Sequence, residues 1–293
     1  MTRPTIEHPV VVGVDESAQS RAAALWAARE ALLRDVPLHL VHAWNWSPNP
    51  PASEADATGQ RRRAHALVQA TARQVTSVIR STHVTTETVP GPATAALLRI
   101  AERAGALVLG SRGLGALSGL LVGSVAGGVV GRAACPVVLV REAAVERADE
   151  GREVVLGLDL DDPCDDVIDF AFASAWRHGA RLHVVSAWHG PHLLSVGPGE
   201  VALAEGPLRA QEWEGFQEAV LRTWQDKYLD VEVTRTVAEG RAQALLLMAA
   251  SGADLVVVGR RCYPEPHLGA HAGPVTHAVI HHAACPVAVV PHD

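Results

Sequence analysis

The sequence predicts an α/β protein built from two tandem, open, five-stranded parallel sheets with helices on both faces. Three observations predict it. Short, uniformly apolar runs alternate with longer Ala-rich segments, the whole alternation occurs twice in order, and 293 residues suffice for roughly two domains of about 150 residues each. A composition of 48% hydrophobic and 19% charged residues excludes a disordered chain.

In the first half, runs near 10–14, 38–43, 84–89, 106–110 and 136–140 read as strands, because they are rich in β-branched residues and continuously apolar, as buried parallel strands are. Segments near 18–34, 60–80, 93–104 and 124–133 read as helices, with Ser17 and Ser124 as N-cap candidates. Strict β–α alternation implies right-handed crossovers onto a parallel sheet. The second half repeats the order, with strands near 153–158, 182–187, 231–237, 254–259 and 286–290.

The repetition is visible residue by residue. Val11-Val12-Gly13-Val14-Asp15 recurs as Val155-Leu156-Gly157-Leu158-Asp159, and Leu38-His39-Leu40-Val41-His42-Ala43-Trp44 recurs at the same offset as Leu182-His183-Val184-Val185-Ser186-Ala187-Trp188. Ala133-Ala134-Cys135-Pro136-Val137 matches Ala283-Ala284-Cys285-Pro286-Val287. The charged stretch 141–152 reads as the linker, giving domains at 1–144 and 152–293.

Charge and composition exclude several functions. A net charge of −7 and a pI near 6.1, with no concentrated basic stripe, argue against nucleic acid as a partner. The only lysine, Lys227, lies far from any glycine loop, which excludes a G-x-x-x-x-G-K-[ST] phosphate loop. Four cysteines without a C-x-x-C pair offer no zinc ribbon or disulfide framework. No run of about 18 apolar residues occurs and the first nine residues are polar and short, so a cytoplasmic protein without a membrane span or secretory leader is expected.

Ligands of open α/β sheets bind beyond the carboxyl ends of the strands, where strand order reverses. Asp15 closes the first strand of the chain. After the fourth strand comes a loop, residues 110–124, with five glycines in fifteen residues. Glycine lets backbone N–H groups approach an anion, and the start of the following helix adds unpaired N–H groups and a partial positive charge. A phosphate chain fits such a loop, although glycines alone can also serve as a plain connection.

Gly110-x-x-Gly113, nine residues, then Gly123-Ser124 resembles the nucleotide loop of the universal stress proteins, and Val12-Gly13-Val14-Asp15 with Ser17 resembles their first strand and turn. Cys135-Pro136-Val137-Val138 is also typical. The likeness covers both halves and implies a tandem protein of the Rossmann-like universal stress protein fold. It further implies binding of ATP, with magnesium as its counter-ion, and a regulatory role in stress, dormancy or growth arrest exercised through a protein partner. Carried over, Gly13 and Asp15 would adjoin the nucleoside, Val41 would offer backbone groups to the adenine edge, and Gly110, Arg112, Gly113, Gly123, Ser124 and Val125 would surround the phosphates. Asp15 reads equally as a turn-former or helix cap, and Val41 as core. The family's terminal strands imply a homodimer or an intrachain pseudo-dimer.

The second copy departs from the pattern. Asp159, Val185, Gly259 and Gly273 keep corresponding positions, but Cys262 replaces the second glycine, Glu265 adds negative charge, and Pro274 replaces the Ser/Thr and deletes an N–H. Arg260 and Arg261 compensate in part. A weakened or altered site is expected there. His277 and His281 lie four apart, a spacing that suits either a metal pair or an exposed helix face. Cys135 and Cys285 read as buried small hydrophobes, or as redox-sensing thiols. Trp44 and Trp188 either close pocket mouths or cover the core edge. The Pro-rich stretch 46–51 and the loop 190–199 are expected to form flaps. An ATPase or nucleotidyl transferase, and a nucleotide-free docking scaffold, are the competing functional classes; Asp15 as the sole carboxylate of the motif leaves phosphoryl transfer without a metal cluster.

Overall fold

The computed structural model describes residues 8–44, 54–111, 122–141, 152–188, 206–262 and 272–293. They fall into two compact units, the first holding residues 8–141 and 272 and the second residues 152–262 and 273–293.

The first unit runs β1 (Val10–Gly13), α1 (Ala18–Leu33), β2 (Leu38–Trp44), α2 (Glu54–Val78), β3 (Val84–Pro90), α3 (Ala93–Ala101), β4 (Ala106–Gly110), α4 (Ser124–Val130) and β5 (Val137–Val140). Its strands are parallel in the order β3-β2-β1-β4-β5. The second unit runs β6 (Glu153–Gly157), α5 (Asp165–His178), β7 (Arg181–Trp188), α6 (Gly206–Lys227), β8 (Val233–Glu239), α7 (Ala242–Ala249), β9 (Leu255–Arg261), α8 (Pro274–His282) and β10 (Val287–His292). Its parallel order, β10-β9-β6-β7-β8, is the same arrangement counted from its own first strand.

Position in the sheet follows apolar content. β1 and β4 are buried almost throughout, and both are unbroken apolar runs, because helices cover the two faces of a central strand. β3 and β8 carry Thr, Glu and Arg and are only partly buried, as suits the outermost strand of an order. Leu38, Leu40, Leu107 and Leu139 centre the first core, and Phe172, Leu156, Ile168 and Leu182 the second.

Element ends differ from the sequence pattern where local chemistry intervenes. α2 begins at Glu54 rather than near residue 60, with Glu54 and Asp56 in its first turn opposing the positive end of the helix dipole. α4 ends at Val130, with Gly131 as its C-cap. β9 and β10 run on to Arg261 and His292, since Pro291 pairs with Arg260 and His292 with Arg261, so that each strand prolongs the other.

Candidate functional site

In the first unit the order reverses between β1 and β4. Gly13 is registered beside Val41 of β2 on one side and beside Leu109 of β4 on the other. The chain leaves β1 through Val14, whose N–H donates to the Val41 carbonyl at 2.8 Å and whose own carbonyl meets His42 Nδ1 at 2.7 Å. Asp15 then folds the turn: its Oδ1 accepts from the Ser17 N–H at 2.9 Å and from the Ser17 hydroxyl, while its N–H donates to Ser20 Oγ at 2.8 Å. Ser17 is the N-cap of α1, its Oγ accepting from the Ser20 N–H at 3.1 Å. Asp15 is therefore the turn-former, and its second carboxylate oxygen has no hydrogen-bond partner among the described residues. Val41 is core, and its carbonyl keeps one lone pair beyond the bond to Val14.

β4 ends against this same turn. A Cβ on Gly110 would lie 2.8 Å from the Gln19 backbone in the first turn of α1, so glycine is what lets the strand end reach the helix start. The Ser111 N–H donates to the Val140 carbonyl and the Ser111 carbonyl accepts from the Gly123 N–H, each at 2.9 Å. These bonds pinch the glycine-rich loop at its base. Arg112 and Gly113 lie outside the described residues. Ser124 is not the N-cap expected for α4: Gly123 takes that place, with extended dihedrals, and no side chain caps the helix. The cap is set by the extended backbone of Gly123 rather than by a side chain. Ser124 and Val125 are exposed, and the amides of Ser124, Val125 and Ala126 precede the first helical bond, Gly127 N–H to Gly123 carbonyl at 2.9 Å.

The second unit keeps the frame and changes the chemistry. The Leu158 N–H donates to the Val185 carbonyl at 3.0 Å, and the exposed Asp159 accepts from the Asp161 N–H at 3.0 Å, which mirrors the Asp15 turn. Gly259, two residues before the end of β9, is flanked by the His292 ring and by Val167. Thr276 of α8 donates its hydroxyl to the Gly259 carbonyl at 2.8 Å, so the helix start is tied down by a side chain. Gly273 is the N-cap and Pro274 begins α8. Neither arginine points to an unspent cation: Arg261 pairs with Asp162, and Arg260 is buried with interactions of its own.

The family model described as the universal stress protein family matches residues 7–141 and again 151–291. The chain belongs to the universal stress protein family. A universal stress protein of Mycobacterium tuberculosis is 34% identical over 300 residues, covering 99% of each chain, and one of Mycolicibacterium smegmatis is 32% identical over 305 residues with the same coverage. The crystal structure of a universal stress protein from Archaeoglobus fulgidus superposes with a TM-score of 0.67 at 17% identity, covering 97% of this chain and 98% of the other, and so shares the fold. Two universal stress protein domains in one chain account for the repetition in the sequence.

The remaining candidates divide plainly. Cys135 and Cys285 are buried, and burial pushes the Cys135 thiol up to about 11, the behaviour of a small hydrophobe. The rings of His277 and His281 stack at 4.3 Å along α8, and no group of three or more potential metal-ligating side chains occurs among the described residues. Trp44 sits beside a cavity of about 400 Å³ with Arg61 and His65, and Trp188 beside one of about 420 Å³. No helix among the described residues is long and apolar enough to cross a membrane. Glu265, stretches 46–51 and 190–199 and most of the linker lie outside the described residues.

Sequence reasoning missed the polar groups that fix the first turn of each unit. His42 holds the Val14 carbonyl, and in the second unit Ser186 holds the Leu158 carbonyl at 2.9 Å while accepting from Gln217 at 2.9 Å. Their signal was available: His42 and Ser186 are polar residues at equivalent places inside apolar strands.

Proposed function

We propose that the first unit binds an adenine nucleotide, ATP with an accompanying magnesium ion, at the reversal between β1 and β4. The chain would then act as a regulatory module of the stress response or growth arrest, whose surface toward a protein partner depends on occupancy. One observation carries the reading: the Gly123 N–H to Ser111 carbonyl bond brings both ends of the glycine-rich loop to the end of β4, while the Ser124 hydroxyl and the amides of residues 124–126 have no partner among the described residues. Those donors suit an anion.

In this reading Gly13 and Asp15 adjoin the nucleoside, the second lone pair of the Val41 carbonyl takes a donor from the adenine edge, and Gly110, Arg112, Gly113, Gly123, Ser124 and Val125 surround the phosphates. Magnesium would arrive with the nucleotide and offset its charge. The second unit, with Asp159, Val185, Gly259 and Gly273 but with Pro274 at the helix start and Arg261 already paired, binds nucleotide more weakly or not at all. Hydrolysis is expected to be very slow or absent, and the chain is expected to form a homodimer.

The test is direct. Full-length protein purified without added nucleotide is denatured and the released bases identified, then ATP is titrated by calorimetry with magnesium present. One ATP per chain is expected. Failure to retain or take up any adenine nucleotide at about millimolar concentration, the weak limit of specific binding, would falsify the reading. Turnover with magnesium or manganese that disappears in Asp15→Ala would instead favour an enzyme, and sedimentation with and without ATP reads the assembly.

A further inference from the structure

We propose that the second unit carries a binding site for a small organic cation with a flat ring, at the cavity beneath the first turns of α6. This site is independent of nucleotide binding by the first unit. The cavity, about 420 Å³, opens where β6 and β7 end, and it falls within the size range of small-molecule pockets. Leu160 and Trp188 form its buried walls, Trp213 is a half-buried wall from α6, and Asp161, Arg209 and Glu212 line it as well.

Three features select the ligand. First, Trp188 is 8% exposed and its indole N–H, wholly buried, donates to no described group. A ligand acceptor would relieve that cost. Second, two indoles and two carboxylates meet at one opening. Asp161 and Glu212 are exposed, and among the described residues neither carboxylate is hydrogen-bonded or ion-paired, whereas Arg209 is engaged in an interaction of its own. Aromatic faces and unpaired carboxylates together attract cations, and more strongly as water is excluded. Third, the repeat shows what such a tryptophan takes. Trp44 holds the position of Trp188 in the first unit, and there the Arg61 guanidinium of α2 lies 5.7 Å from the ring centroid. The first unit thus places a cation of its own against the ring.

The phosphate-binding side of the second unit points the same way. Arg261 is neutralised by Asp162 and Pro274 removes an amide donor, so what an anion would need has been lost where an acidic, aromatic cavity is present. A planar cation bearing a hydrogen-bond acceptor satisfies every feature at once. Its ring would lie between the indoles, its charge would face Asp161 and Glu212, and its acceptor would take the Trp188 N–H.

The test uses full-length protein and 1-methylnicotinamide, a planar cation with an amide acceptor, alongside uncharged nicotinamide and anionic AMP. Binding is measured by calorimetry and by the indole N–H resonance of Trp188, assigned by its loss in Trp188→Phe. The expected result is that the cation shifts this resonance and binds at least about tenfold more tightly than nicotinamide, and that Asp161→Asn with Glu212→Gln removes about that advantage without changing the melting temperature. The proposal is overturned if the resonance does not move at about 10 mM cation, a concentration that saturates even weak sites. It is equally overturned if nicotinamide binds as tightly, or if AMP moves the resonance and displaces the cation.

Discussion

Asp35, one residue past the Arg34 C-cap of α1, and Gly179, the C-cap of α5, occupy the same place in the two repeats, and both are left-handed, with φ of 55° and 57°. In each, the next amide closes a bond back to the helix, Val36 to Ala31 at 3.0 Å and Ala180 to Ala175 at 2.9 Å. The geometry is one that glycine adopts without strain and a side chain does not. Asp35→Gly should therefore stabilise the first unit by up to about 1 kcal/mol, and Gly179→Ala should destabilise the second by a similar amount. Thermal unfolding of both variants checks this, and a fall in stability for Asp35→Gly would show that the aspartate side chain contributes more than the strain it carries.

Gly110→Ala should destabilise the first unit by about 1–3 kcal/mol, because the new methyl meets the Gln19 backbone, which cannot yield without moving α1. Gly13→Ala should cost less. Its methyl meets the ends of the Leu109 and Leu97 side chains, which can turn aside. Urea unfolding of the pair ranks them, and equal losses would place the constraint elsewhere.

Ser124 separates binding from folding, since its hydroxyl does not cap α4. Ser124→Ala should leave the melting temperature within about 1 °C, as befits an exposed substitution, yet weaken ATP binding by about fivefold or more through one lost hydrogen bond to a phosphate. Ser17→Ala should instead cost about 1 kcal/mol of stability as a lost N-cap. Calorimetric titration beside thermal unfolding checks both. A large drop in stability for Ser124→Ala would assign that hydroxyl a structural role.

Cys135 sets a pH dependence. Its folded-state value of about 11 lies above the ordinary 9.0, because burial disfavours the thiolate. Between those values the folded chain holds a proton that the unfolded chain releases, so stability is full below pH 9 and falls as pH rises toward 11. The native thiol should resist iodoacetamide at pH 8 while the half-buried Cys164 reacts. Cys135→Ala should flatten the loss of stability between pH 9 and pH 11, as read from urea midpoints. Rapid native labelling of Cys135 would show that the site opens.

Much of the fold was legible because it is written locally and written twice. The apolar runs of β1 and β4, the Asp15 turn and the glycines after β4 stand in register with their counterparts around Gly157, Asp159 and Gly259, and a parallel sheet follows from the alternation. The N-cap of α4 was misread, because Ser124 has the residue type of a cap while Gly123 has the dihedral angles of one. The arginines of the second unit looked like compensation for lost phosphate contacts. Arg261 is answered by Asp162, which lies 99 residues away in the chain and is invisible to any local pattern.

The amino-acid order alone determined the duplication, the α/β class with its parallel sheet and the place where a ligand loop leaves the sheet, since each rests on composition and spacing over a few neighbouring residues; the strand order came only from the packed sheet. Folding decided which donors remain available: the Gly123 amide is consumed by Ser111, the Val41 carbonyl is half spent on Val14, Gly110 is held against Gln19, and Trp188 is buried with its N–H unanswered. Those outcomes depend on which distant groups arrive within hydrogen-bond reach, and that is settled only when the sheet and helices pack.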